Sequence, residues 1–272
     1  MFGAAVIVFR ETLEAALLMG IIAAAARSIP GRDRWLVLGL TAGLAGSLVV
    51  AALTKSIADL ADGAGQEMFN AAVLGIAVLM LGWHNIWMAR HGAAMATHAR
   101  SVVASVEKGR RELSAIAIVI ALAVLREGSE TVLFLYGLAS GGGLTLAGAV
   151  AGGALGLIGG IAAGGGIYAG LLRIPVRWLF SVTGTLILLL AAGMAGQMAR
   201  FLIQADLLPA GITPLWDTSA VLPVDSALGS VLHVLVGYEA RPSATQMLFY
   251  GCALLAILGG MRWARPARNQ TS

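Results

Sequence analysis

The chain has 272 residues, 58% of them hydrophobic and only 12% charged, with 36 glycines and a single cysteine. Soluble domains carry about a quarter charged residues, so this composition excludes an ordinary soluble domain. It equally excludes disorder, collagen-like repetition and a disulfide-stapled secreted module. A polytopic all-α membrane protein remains. The formal net charge of +4 requires no nucleic acid, because basic residues in short loops sit naturally beside an anionic leaflet.

A bilayer-spanning helix needs about 20 predominantly apolar residues, and seven stretches meet that need: 1–26, 36–56, 67–89, 113–138, 144–172, 177–199 and 245–262. The first lacks the basic leader of a signal peptide and carries Arg10, Glu11 and Glu14 where an uncharged core belongs, so it reads as a retained span. The second carries Gly39 and Gly43, and the third carries His84 and Asn85 near its end. His84 suits a helix–helix hydrogen bond or an exit-side ligand. A basic linker with His91 and His98 follows, and the fourth span holds Arg126, Glu127 and Glu130. The fifth presents Gly148, Gly152, Gly156, Gly160 and Gly164 as a ridge four residues apart, the pattern of close helix packing. After the sixth span comes a long segment containing His233, read as solvated, and Cys252 of the seventh reads as a buried small apolar residue.

Orientation follows from the basic residues. With the N-terminus outside and the C-terminus inside, 13 of the 18 Lys and Arg residues fall in the inner segments 27–35, 90–112, 173–177 and 262–272. Most acids outside the spans fall on the outer side, where they can attract cations. Asp59, Asp62, Glu67 and Asp217 are candidates for an outer mouth, with His84 a candidate at the exit.

The segment Arg10-Glu11-Thr12-Leu13-Glu14 recurs as Arg126-Glu127-Gly128-Ser129-Glu130, offset by 116 residues. Met88-Ala89-Arg90 is likewise echoed by Met198-Ala199-Arg200. The expected organisation is a three-helix repeat with its cytoplasmic linker (1–112), a second three-helix repeat (113–203), an extracytoplasmic loop (204–244), and a seventh helix with a cytoplasmic tail (245–272). Three is odd, so the repeats enter the membrane in opposite directions, as in transporters whose substrate site lies near the midplane.

Within each motif the glutamates are three residues apart on one helical face, and each arginine can reach the glutamate four residues on. Ionisable groups at the bilayer centre cost about 2.5–3.5 kcal/mol each on the insertion scale, so six of them mark a site. Four carboxylates against two guanidinium groups leave a formal charge of minus two, and hard oxygen donors suit a hard cation. Thr12 and Ser129 are possible supporting hydroxyls. The arithmetic accommodates Fe2+ and Fe3+ alike.

Two R-E-x-x-E motifs in the first and fourth of seven spans resemble the oxidase-dependent iron permease family of fungi and bacteria, part of the iron and lead transporter superfamily. The likeness extends to Trp216-Asp217-Thr218-Ser219. It implies high-affinity iron uptake across the cytoplasmic (inner) membrane. Glu11, Glu14, Glu127 and Glu130 would be the metal ligands, and Arg10 and Arg126 their supports. Iron would be cargo, with no permanent cofactor. It also implies a separate extracytoplasmic oxidase or iron-binding protein that loads the permease, besides lipid and iron as partners. Two alternatives stay open on the residues alone: transport of another divalent metal such as lead, and a membrane di-iron oxidase. The latter usually employs Glu-x-x-His, whereas the fourth position here is Glu in both motifs.

Overall fold

The computed structural model describes residues 1–60, 66–110, 112–142, 144–170 and 176–264, leaving aside the side chains of 57–60, 89–96, 176–177, 227 and 234. Among these residues the chain is all helical: α1 (Phe2–Ala25), α2 (Arg32–Leu60), α3 (Gln66–Glu107), α4 (Ser114–Ser140), α5 (Leu146–Tyr168), α6 (Val176–Gln204), α7 (Ala227–Val236) and α8 (Ala244–Ala264). The breaks are chemical. Pro30 and Gly31, the latter at φ +76°, turn the chain between α1 and α2. Thr145 caps α5 by accepting from the Gly148 amide, and Ser226 caps α7 in the same way through Gly229.

Stretches of α2, α3, α5, α6 and α8 are long and apolar enough to cross a membrane. Helices α1 and α4, of 24 and 27 residues, have the length as well. Every 18-residue stretch of either includes three charged residues of its motif, which lowers its apolar character. Large apolar side chains point outward, among them Leu48, Leu79, Leu146, Leu255 and Trp263, each at least 70% exposed. A surface of that kind suits lipid rather than water, and the chain is a multi-pass membrane protein.

Helix α1 packs most extensively on α5, and α2 on α4. The glycine ridge explains the first contact. A Cβ at Gly152 would meet Met1 O and Ala4, at Gly156 it would meet Ala5 O and Val8, and at Gly160 it would meet Thr12. On α2, Gly39 lies against Ala117 O and Ile120, and Gly43 against Ala121 O and Val124. The backbones therefore touch with no side chain between them. The core joins α1, α3, α4 and α6 through Ile7, Leu74, Leu81, Phe134, Ile187 and Leu190.

The structure corrects two sequence expectations, the linker after residue 89 and the burial of Cys252, and adds detail to a third, the 204–244 loop. Helix α3 runs past 89 to Glu107, where a linker was expected, and Ala99, Val103 and Val106 pack with Ile22, Ala26 and Ile116. Their three- to four-residue spacing makes an apolar stripe that a 20-residue hydropathy window dilutes with charges. The 204–244 segment is ordered around α7: Leu215 N donates to Pro242 O at 2.8 Å, Thr218 N to Ala240 O at 3.0 Å, and the Tyr238 hydroxyl to Leu222 O at 2.8 Å. Cys252 is exposed on α8 rather than buried, because that helix covers the bundle from one side and turns most of its surface outward.

Candidate metal site

Glu11 and Glu127 fall near the middle of α1 and α4, and these two helices touch. The local geometry of the two motifs is nearly the same. Arg10 Nε lies 3.0 Å from Glu14 Oε1, and one of its terminal nitrogens 3.7 Å from Glu11 Oε1. Arg126 Nε lies 2.9 Å from Glu130 Oε1 and 3.7 Å from Glu127 Oε1. Each guanidinium thus clamps the carboxylate one helical turn on and flanks its neighbour.

The four carboxylates converge across the α1–α4 contact. One carboxylate oxygen from each of Glu11, Glu127 and Glu130 lies within 4.8 Å of the others, and so do ligand atoms of Glu11, Glu14 and His84. His84 enters from α3. Its Nε2 is 3.7 Å from Glu14 Oε1 and 4.0 Å from Glu11 Oε2, while Nδ1 contacts Glu130 Oε2. Both Glu11 oxygens are buried without a hydrogen-bond donor, and neither imidazole nitrogen finds hydrogen-bonding geometry. Buried polar groups left in that condition are rare, and a cation among these oxygens would satisfy them.

His84 therefore sits among the glutamates rather than at an exit. It continues the buried stripe Leu74, Ala77, Leu81 on α3, and that three- to four-residue spacing was the available sequence signal. Trp87, one turn further on, was not anticipated at the site; Arg126 stacks over its ring at 4.3 Å.

The proposed supporting hydroxyls turn elsewhere. Thr12 packs against Gly160 of α5, and Ser129 Oγ donates to Arg126 O at 2.8 Å. Neither joins the carboxylate cluster, because the positions between the glutamates point to other sides of the helix.

Of the acids expected at an outer mouth, Glu67 and Asp217 are described with their side chains. Asp62 and the Asp59 side chain lie outside the described residues. Glu67 is exposed in the first turn of α3. Asp217 Oδ1 accepts from the Ser219 hydroxyl at 2.5 Å and from its amide at 3.0 Å, and Oδ2 pairs with Arg241 at 3.2 Å. These bonds, chiefly those from Ser219, hold the Asp217 carboxyl below the ordinary aspartate range. His233, read as solvated, instead bonds Tyr238 O at 2.7 Å and Gln197 at 3.2 Å. With Leu74, Leu138, Met194 and Gln197 it lines a cavity of about 30 Å³, large enough to hold water.

Comparison with known proteins bears on what this cluster is for. A family model described as the iron permease FTR1 family matches residues 1–265. The chain is 29% identical to proteins named ferrous iron permease EfeU from Shigella sonnei and from Escherichia coli O157:H7, over 98% of its own length and 97% of theirs. A Yersinia pestis protein of the same name is also 29% identical, over 95% of this chain and 92% of the relative. No solved structure matches significantly.

Proposed function

The chain belongs to the iron permease FTR1 family, transporters rather than enzymes, and on that premise we propose that it imports Fe2+ across the cytoplasmic membrane through a site made by Glu11, Glu14, Glu127 and Glu130. The observation carrying this reading is the meeting of both motifs' carboxylates in a buried cluster with unsatisfied oxygens. The ferrous ion is taken from the relatives, which are named ferrous iron permeases, and one Fe2+ would cancel the minus two left by four carboxylates and two guanidinium groups. The enzymatic alternative falls away with family membership. Iron is cargo, needing no resident cofactor.

In this reading α1 to α6 and α8 are seven spans with the N-terminus outside, and α1–α3 and α4–α6 are inverted repeats. Support comes from the register of the helix contacts. Gly39 faces Ile120 and Gly43 faces Val124, while Gly152 faces Ala4 and Gly156 faces Val8. An offset of 113 relates the glycines and 116 their partners, so the α2–α4 contact matches the α5–α1 contact residue by residue. Two related halves meeting at a midplane site suit alternating access.

Arriving Fe2+ exchanges its water shell for carboxylate oxygens, and the arginines hold these side chains in place and limit the excess negative charge. Phe134 packs edge-on to the His84 ring, and it shares one apolar core with Leu74, Leu138 and Met194, which line the cavity beside Gln197 and His233. A separate extracytoplasmic iron-handling protein would deliver the ion to the ordered 204–244 segment.

The test is uptake of radioactive iron, supplied as Fe2+ or Fe3+, by iron-transport-deficient cells carrying the wild type or expression-matched Glu127→Gln. Fe2+ uptake by the wild type that collapses in the variant is expected. Equal uptake by both would make the glutamates structural, and competition by lead or other divalent ions would identify a different cargo.

A further inference from the structure

His84 is the one member of the cluster that belongs to neither motif, and it is 3% exposed at the centre of the bundle. Resting on the iron-site reading above, we propose that the ion occupies two overlapping stations that share Glu11: an all-oxygen station of Glu11, Glu127 and Glu130, and a sealed station of Glu11, Glu14 and the His84 imidazole.

Each trio brings its ligand atoms within 4.8 Å of one another. Donors bound at about 2.0–2.2 Å lie at most about twice that distance apart, so small side-chain movements close either trio around an ion. The simpler account makes His84 an imidazolium bridging the two motifs. Charge-assisted N–H···O bonds are about 2.7–2.9 Å long, and on the Glu11 and Glu14 side the separations are 4.0 and 3.7 Å. Those gaps are too long for such bonds, and an ion held between Nε2 and the two carboxylates would fill them. Nδ1 meets Glu130 on the other side of the ring. A ligating histidine characteristically donates its second N–H to a carboxylate, which fixes the tautomer and aims the ligating nitrogen.

Glu130 then has two alternative tasks. It binds the ion in the all-oxygen station, or, once the ion rests in the sealed one, turns so that its carboxylate accepts the N–H of His84 Nδ1, which here contacts it without hydrogen-bonding geometry. The burial of the side chains gives the order of access: Glu130 is 14% and Arg126 29% exposed, whereas Glu11 is 1%, His84 2% and Arg10 3% exposed. One divalent ion neutralises the cluster and a second would leave it at plus two, so the stations fill in turn. The nitrogen donor also supplies discrimination, since imidazole suits Fe2+ while Mg2+ and Ca2+ favour oxygen alone.

Fe2+ is the probe, bound anaerobically to the purified full-length protein and examined as its isotopically labelled nitric oxide adduct by electron paramagnetic resonance and spin-echo modulation. The wild type is expected to bind one Fe2+ with nitrogen modulation from a coordinated imidazole. In His84→Gln that modulation disappears and affinity falls by at least the about 10- to 100-fold that loss of an outer-shell partner costs, with Fe2+ retained on the all-oxygen station. Fe2+ bound to the wild type without imidazole coupling, imidazole coupling that survives in His84→Gln, or a coupled pair of ions each overturns the two-station scheme alone. A wild type that binds no Fe2+ overturns the iron-site reading together with it. The wild-type spectrum decides even if the variant fails to fold.

Discussion

The motifs on α1 and α4 share their letters and their internal distances, yet their surroundings differ. Arg10 and its glutamates are sealed, whereas the Arg126 side chain is 29% exposed and leans on Trp87. Neighbours make the difference. Helix α1 packs against α3, α4, α5, α6 and α7, while α4 packs chiefly against α1, α2 and α3. A repeated motif thus sets a local arginine–glutamate geometry twice, and the bundle makes one copy a closed chamber and the other its more accessible side. Helix α8, which lies on α3 and α6, adds cover that no second copy provides.

This asymmetry can be broken by experiment. Glu11 belongs to both ligand trios and Glu130 to one, so Glu11→Gln should reduce Fe2+ uptake by more than the about 10- to 100-fold that loss of an outer-shell partner costs, and Glu130→Gln should reduce it clearly less than Glu11→Gln. Uptake measured at matched expression checks this, and equal losses would dissolve the distinction. Arg10→Gln leaves two buried carboxylates without their cation and should destabilise the protein by about 3 kcal/mol or more. Arg126→Gln, at the more open motif, should cost clearly less in the same thermal unfolding assay. Gly156→Val drives a side chain into Ala5 O and Val8, whereas Gly153 on the same helix faces open space. The first substitution should cost about 1–3 kcal/mol and the second should be tolerated, as melting of the detergent-purified variants will report.

The smallest effect belongs far from both motifs. Asp217 is held below the ordinary aspartate range by Ser219 and Arg241, so it stabilises the fold at pH values above about 3.9, the unfolded value, and that contribution disappears as pH falls through its lowered folded value. Asp217→Asn should therefore melt slightly earlier than wild type at neutral pH, and the gap should close on acidification. Fe2+ uptake at neutral pH should be unchanged, and a large loss would give the outer segment a direct role in passing the ion.

The legible features were those expressed within one helix. Arg10 reaching Glu14 and Arg126 reaching Glu130 follow from 3.6 residues per turn, and the α5 ridge announced a close helix contact before its partner was known. Length and apolar composition likewise marked the long helices, though charges hid the continuation of α3 to Glu107 and short elements hid α7.

What only the tertiary structure decided was which faces meet. His84 joins the glutamates because the α3 stripe packs into the gap between α1 and α4, and Thr12 and Ser129 leave the cluster because α5 and the α4 backbone claim them. Periodicity is a property of one helix and is written in consecutive residues. The meeting of α1, α3 and α4 depends on how ridges, glycines and buried charges settle against one another across the whole bundle, and no single segment encodes it.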